Sequence, residues 1–122
     1  MGKICTDLFM DAAFDYLQAN GPTMVVLSAS AYDSSAAVAS ATLASATTAS
    51  ADYTKANGDT NGRKVTIASH SGTAITASGT ATHIALCNTN GSALYQTTCT
   101  SQALTSGTVD IPAWDIEIAD PT

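Results

Sequence analysis

Apolar residues recur at three- and four-residue spacing near the start of the chain: Ile4, Leu8, Phe9, Ala12, Ala13, Tyr16 and Leu17. That spacing predicts a helix over residues 6–19 with one apolar stripe turned toward the rest of the molecule. Thr6 is placed to cap it. Asp7 and Asp11 lie in its first two turns, where the helix dipole favours acids. Gly21-Pro22 stops it. The pattern then changes. Thr23-Met-Val-Val-Leu-Ser-Ala-Ser30 has the β-branched run of a buried strand. Residues 31–50 are almost all Ala, Ser and Thr, and their pattern is silent. Alanine favours helix, whereas dense Ser and Thr resist it, so an extended surface loop with a short helix or strand is expected.

From residue 51 onward, strand-like runs follow one another at roughly ten-residue spacing, with turn signals between them. The runs are Ala51–Thr54, Arg63–Ala68, Thr73–Ala77, Thr80–Cys87 and Ala93–Cys99. Asn57–Gly62, Ser71-Gly72, Ser78-Gly79 and Asn88–Gly91 are the turns. The Thr80–Cys87 and Ala93–Cys99 runs read as a hairpin. In the last stretch Val109 and Ile111 are apolar at odd positions, and Trp114, Ile116 and Ile118 at even ones. A bulge or bend at Pro112-Ala113 would turn both sets to one core and leave Asp110, Asp115 and Glu117 in solvent. The fold expected is mainly β: an antiparallel β-sandwich or barrel-like domain with one N-terminal α-helix over an end or an open edge. Residues 1–122 form a single domain, with helix 6–19, loop 31–50 and a β-rich body 51–122.

Composition adds that the layers must be thin. Ala, Ser and Thr make up nearly half the chain, and only 11% of residues are charged, against about 25% in an ordinary domain. A domain of this length still buries about two-thirds of its unfolded surface. The net charge is −6, and Lys3, Lys55, Arg63 and Lys64 are the only basic residues. Nucleic acid is therefore an unsuitable partner, and so is an anionic membrane surface. No apolar run is long enough to span a bilayer, and no signal peptide is legible, so synthesis in a cytoplasm is expected. Cys5, Cys87 and Cys99 read as free thiols, although Cys87 and Cys99 could face each other across the hairpin.

Residues for chemistry are few. His70 and His83 have no nucleophile elbow near them, and they read as a strand-end and a sheet-face histidine. Asn57–Gly62 has oxygen ligands at loop spacing but lacks the acids of a calcium loop, so it reads as a turn. The cysteines lack zinc spacing. Asp115 and Glu117 share a strand face and read as solvated acids. Trp114 reads as core first and as an interface anchor second. No phosphate loop or dinucleotide fingerprint is present. The expectation is a protein that is not an enzyme and has no cofactor and no metal site.

Five stretches carry a family resemblance: Asp7-Leu-Phe-Met-Asp-Ala-Ala-Phe-Asp-Tyr-Leu17, Gly58-Asp-Thr-Asn-Gly-Arg-Lys-Val-Thr66, Ser78-Gly-Thr-Ala-Thr-His-Ile-Ala-Leu86, Thr97-Thr-Cys-Thr-Ser-Gln-Ala-Leu-Thr-Ser-Gly107 and Pro112-Ala-Trp-Asp-Ile-Glu-Ile-Ala-Asp-Pro121. The chain resembles small virion proteins of tailed bacteriophages, encoded near the major capsid protein. The Ala/Ser/Thr stretch is its least family-like part. The resemblance implies a capsid decoration, or cement, protein on the outer head surface. Its partners would be the major capsid protein and copies of itself on the shell. A head-fibre base or tail-associated role is the alternative, and a host-surface or carbohydrate-binding module a further one. Met1–Cys5 and Ala31–Ser50 are the expected contact segments, with Lys3, Ile4, Tyr32 and Tyr53 as interface side chains.

Overall fold

The structure is a computed structural model, and it describes residues 5–31 and 34–120. It is mainly β, with antiparallel sheets and an N-terminal helix. Helix α1 spans Asp7–Asn20, and Thr6 caps it by accepting the Phe9 N–H on its hydroxyl at 3.3 Å. Strand β1 (Thr23–Leu27) follows, then a short helix α2 (Ser35–Ala41), β2 (Thr42–Thr47) and a 3-10 turn at Ser50–Asp52. The rest are β3 (Tyr53–Asn57), β4 (Arg63–Ile67), β5 (His70–Ala74), β6 (Gly79–Cys87), β7 (Ala93–Leu104), β8 (Thr108–Ile111) and β9 (Trp114–Ile118). They form a four-stranded sheet in the order β2-β1-β6-β7, a three-stranded sheet β3-β4-β9 and a two-stranded sheet β5-β8.

Strand β1 and the end of β6 are covered on both faces of the four-stranded sheet. Met24, Val26, Ala44, Ala46 and Leu86 face a main core shared with Tyr53, Val65, Ile67 and Ile116 of the three-stranded sheet. Val25, Leu27, Ala85 and Cys87 face the other way and meet Val38 and Ala41 of α2. Two-sided burial explains why β1 reads as a continuous apolar run rather than an alternating one. Alanine at Ala44, Ala46, Ala81 and Ala85 lets the layers approach closely, which is how a chain with few large side chains fills its core.

The Ala/Ser/Thr stretch is therefore not a surface loop. Within it, α2 closes one face of the sheet, and β2 pairs with β1 from Thr23↔Thr47 to Leu27↔Thr42. Leu43, Ala44 and Ala46 are buried. Several of the hydroxyls that make this segment look like loop bond to backbone. Thr42 donates to the Val38 carbonyl at 2.7 Å and Thr48 to the Gly21 carbonyl at 2.6 Å. Satisfied in this way, a small polar side chain can lie against the core at little cost. The expected 31–50 loop boundary disappears, and the β-rich body begins at β1.

Several turns lie where the sequence places them. Gly62 closes the β3–β4 hairpin with φ +74°, and a Cβ there would strike the Ile118 carbonyl, so this position needs glycine. Asn88–Gly91 joins β6 to β7. Pro112-Ala113 does more than bend one strand. It carries the chain from β8, paired with β5, to β9, paired with β4. Ile111 and Ile116 still meet in one core, while Asp110, Asp115 and Glu117 stay exposed. The three cysteines are free; Cys87 pairs in register with Ala93, not with Cys99.

Leu43 separates the two readings of the small-residue stretch. Leu43→Ala is expected to cost about 2–5 kcal/mol of unfolding free energy in urea, as for a buried leucine. A change within about 0.5 kcal/mol would return residues 31–50 to the surface.

Candidate functional site

Helix α1 has two apolar arcs with an acidic stripe between them. At 100° per residue, Met10, Phe14 and Leu17 fall on one arc; Asp7, Asp11, Asp15 and Gln18 follow; Leu8, Phe9, Ala12, Ala13 and Tyr16 form the other. The structure buries the first arc and leaves the second uncovered. Met10, Phe14 and Leu17 are buried, whereas Leu8 is 80%, Phe9 75% and Tyr16 59% exposed. This corrects the single inward stripe expected from the sequence: of that set, Leu17 faces the core, and Leu8, Phe9 and Tyr16 face out.

Ion pairs fix the choice of arc. Cross-strand partners share a sheet face, so Lys55, Val65 and Ile116 lie on one face, and Arg63 lies beside Ile118 on the same side. That is the inner face of the three-stranded sheet. Its Tyr53–Ile67–Trp114 end packs on the other sheet, and its Arg63 end lies under α1. The Arg63 guanidinium donates to both Asp11 carboxylate oxygens, at 2.9 and 3.1 Å, with each side chain only 16% exposed. Lys55 pairs with Asp15 one turn further along. The Arg63 hydrogen bonds hold the Asp11 carboxyl below its usual range and raise the Arg63 pKa in turn.

Beside the uncovered arc, a groove of about 450 Å³ opens between α1, the start of β7 and β9. Ala13, Phe14 and Tyr16 form one wall, Leu94 and Tyr95 another, and Ile116 and Ile118 the floor. Tyr95 stacks on Trp114 with ring centroids 6.1 Å apart, and the Trp114 indole N–H donates to the Met24 sulfur at 3.3 Å. Trp114 is thus half-buried packing at the mouth of the sandwich. The row Phe9, Ala13, Tyr16 runs directly into the groove, so helix face and groove form one continuous apolar surface.

Of the expected interface side chains, Tyr53 falls within the described residues. Lys3, Ile4 and Tyr32 lie outside the described residues. Tyr53 is buried, which corrects its placement at an interface: its hydroxyl donates to the Gly21 carbonyl at 2.7 Å and lies 3.4 Å from the Thr48 hydroxyl. Burial pushes this phenol up. Its polar neighbours in sequence hid an inward position on β3. The Ala31–Ser50 stretch builds α2 and β2 yet keeps Ser34, Ser35, Ala36, Ala39, Ser40, Ser45 and Thr47 exposed, and a neutral cleft of about 700 Å³ beside α2 is lined by Ser, Thr and Asn side chains together with Val25, Val38, Ala39 and Cys87.

Other chemistry stays dispersed. His70 lies 3.5 Å from Asp52, but that carboxylate also accepts the Ala49 N–H across the 3-10 turn, and neither residue lines the groove or the neutral cleft. His83 shares a hydrogen bond with the Thr82 hydroxyl at 2.7 Å. Asp115 lies near Lys64, and Glu117 accepts the Asp59 N–H, so the acid pair braces the β3–β4 turn. Among the described residues, no group of three His, Cys, Asp or Glu could hold a metal ion, and no helix is long and apolar enough to cross a membrane.

No protein-family model matches this chain, and no curated protein or solved structure matches it.

Two measurements check the rotation of α1. Phe14→Ala is expected to cost about 3–5 kcal/mol and Phe9→Ser to stay within about 0.5 kcal/mol in the same denaturation series. Equal losses would mean that both arcs are covered. Asp11 supplies the second check. Its folded pKa is depressed, so its stabilisation is complete above the ordinary carboxylate value near ~3.9 and is lost as pH falls through the lower folded value. Asp11→Asn is therefore expected to melt below wild type at pH 7, with the gap closing at strongly acid pH. A gap that persists unchanged there would remove the ion pair as its cause.

Proposed function

We propose that this protein is a bacteriophage capsid decoration protein, bound in many copies to the outer head surface and bridging neighbouring subunits of the major capsid protein. The sequence resemblance to tailed-phage virion proteins suggests the setting. The observation that carries the reading is the uncovered apolar face of α1 with its groove, on a body whose Lys55, Arg63 and Lys64 are held in ion pairs. A chain that leaves Leu8, Phe9 and Tyr16 in water while burying alanines elsewhere has a surface suited to a partner. On this reading the protein catalyses nothing and uses no cofactor.

A carbohydrate-binding module has one observation in its favour, since the exposed Tyr16 and Tyr95 line one groove and the exposed Phe9 lies on the same helix face. Sugar recognition also needs convergent polar groups to orient hydroxyls. The groove is lined by Ala, Phe, Tyr, Leu and Ile with Glu117 as its one charged residue, and one Glu117 oxygen is taken up by the Asp59 N–H. Protein docking suits these walls better. The face consists of a few side chains, so affinity for a shell would come from capsid sites created or completed by assembly, and shell stability from the number of bound copies.

Cosedimentation with expanded, undecorated phage heads tests the proposal. Saturation at a large copy number that matches the symmetry of the shell is the expected result. Saturation at a few copies would assign the protein to a fibre base or tail position, and no binding would overturn the virion reading.

A further inference from the structure

We infer that Asn61 is a site of spontaneous deamidation, selected from four Asn-Gly pairs by the hydrogen bonding of the turn between β3 and β4. Asn20, Asn57, Asn61 and Asn90 each precede a glycine, and all four asparagines are exposed. Glycine leaves the following amide unhindered, so by sequence the four pairs are equally labile. In the reaction the glycine N–H loses its proton to a base in solution, and the nitrogen attacks the asparagine Cγ. An N–Cγ bond forms, the Cγ–Nδ2 bond breaks, and ammonia leaves. Water then opens the resulting succinimide at either carbonyl, to aspartate or to isoaspartate. One water is consumed, one ammonia is released, and nothing is oxidised or reduced.

The nucleophile distinguishes the pairs. An amide held in a hydrogen bond must open before a base can take its proton. The Gly21 N–H donates to the Leu17 carbonyl at 2.7 Å, the Gly58 N–H to the Gly62 carbonyl at 2.9 Å and the Gly91 N–H to the Asn88 carbonyl at 3.0 Å. Among the described residues the Gly62 N–H has no hydrogen-bond partner. The electrophile is prepared as well. The Asp120 N–H donates to Asn61 Oδ1 at 3.0 Å. Negative charge develops on that oxygen as Cγ becomes tetrahedral, and a donor already in place stabilises it. Asn57 has a comparable donor in the Arg63 guanidinium, at 2.8 Å from its Oδ1, but its glycine N–H is tied. Both conditions meet at Asn61.

The fold retains this pair despite its lability. Gly62 has φ +74°, and a Cβ there would strike the Ile118 carbonyl, so the turn needs glycine. Asn61 in turn ties the chain that leaves β9 to the same turn. Isoaspartate lengthens the main chain by one carbon between these two contacts. Either product adds a negative charge to a turn that already holds Asp59 and faces Asp120, on a chain of net charge −6.

The test is peptide mapping by mass spectrometry of the full chain held in mildly alkaline buffer, beside a sample unfolded in guanidinium chloride. In the unfolded sample the four pairs are expected to deamidate at similar rates. In the folded protein Asn61 is expected to convert about tenfold or more faster than Asn20, Asn57 and Asn90, because the other three glycine amides must first open. Amide exchange followed by NMR should rank Gly62 ahead of Gly21, Gly58 and Gly91 by a similar factor. Asn61→Gln, which cannot form the five-membered ring, should melt like fresh wild type and lose the charge gain that anion exchange detects on ageing. The aged wild-type fraction should melt below fresh protein. Asn61 left intact in the folded chain while the unfolded sample converts overturns the inference. So does another pair that converts as fast in the folded chain, or a Gly62 amide that exchanges as slowly as the other three. An aged fraction that melts like fresh protein overturns the structural role given to Asn61 in the turn.

Discussion

The pairing of Asp11 with Arg63 decides which side of the first helix the molecule keeps for itself. Either apolar arc of α1 could cover a sheet: Met10, Phe14 and Leu17 differ from Leu8, Phe9 and Tyr16 mainly by the Tyr16 hydroxyl, which is easily left in water. The arcs differ in their distance from the acidic stripe and in what that stripe meets. Arg63 and Lys55 project from the inner face of the three-stranded sheet, beneath the helix. A bidentate guanidinium–carboxylate contact is directional as well as strong. Burying the outer arc would turn Asp11 and Asp15 away from these cations and leave two positive charges against apolar packing, which costs far more than exchanging one hydrophobic arc for another. The exposed apolar face therefore follows from the ion pairs.

The same inner face sets the rest of the architecture. Three-stranded sheets are usually too small to cover a four-stranded one, and here half of the smaller sheet's inner face is given to α1. The uncovered width of the large sheet is closed by β5-β8, bridged to β2 at Ala44↔Ile75. The mouth between β7 and β9 stays open and is floored by Ile116 and Ile118. The groove is thus the residue of a packing mismatch, at the position where helix, large sheet and small sheet meet.

How much of this was legible in the sequence depended on whether the signal was local. Gly21-Pro22, Asn57–Gly62 and Asn88–Gly91 were read correctly because turn chemistry is carried by the turn residues themselves. The alternation around Pro112 revealed two apolar sets, and both do face one core. That the sets belong to different sheets was hidden, because strand partners are chosen by residues far away. The stretch 31–50 was misread for a physical reason. Ala, Ser and Thr differ little in size, so burial leaves almost no periodic trace, and hydroxyls satisfied by Val38 or Gly21 carbonyls look identical in sequence to hydroxyls in water. Tyr53 was misplaced likewise, since its phenol is polar by type yet held at Gly21. The rotation of α1 had a weak signal, the second set at positions 10, 14 and 17. Choosing between sets needed the position of Arg63, more than forty residues away.

These constraints also bear on why a surface of this kind suits assembly better than free association. A face built from a few exposed side chains gives modest affinity for an isolated partner segment, since translational and ordering costs absorb much of the apolar gain. The net charge of −6 further discourages the chain from meeting itself. Both features favour a protein that stays monomeric until an array of partner sites is presented at fixed spacing. On the proposed reading, capsid expansion would present such an array all at once, and a copy that bridges two subunits would gain effective concentration for its second contact. On the proposed reading, the weak individual contact is what keeps the protein from binding unassembled subunits, and the ion pair at Arg63 is what keeps that contact surface turned outward.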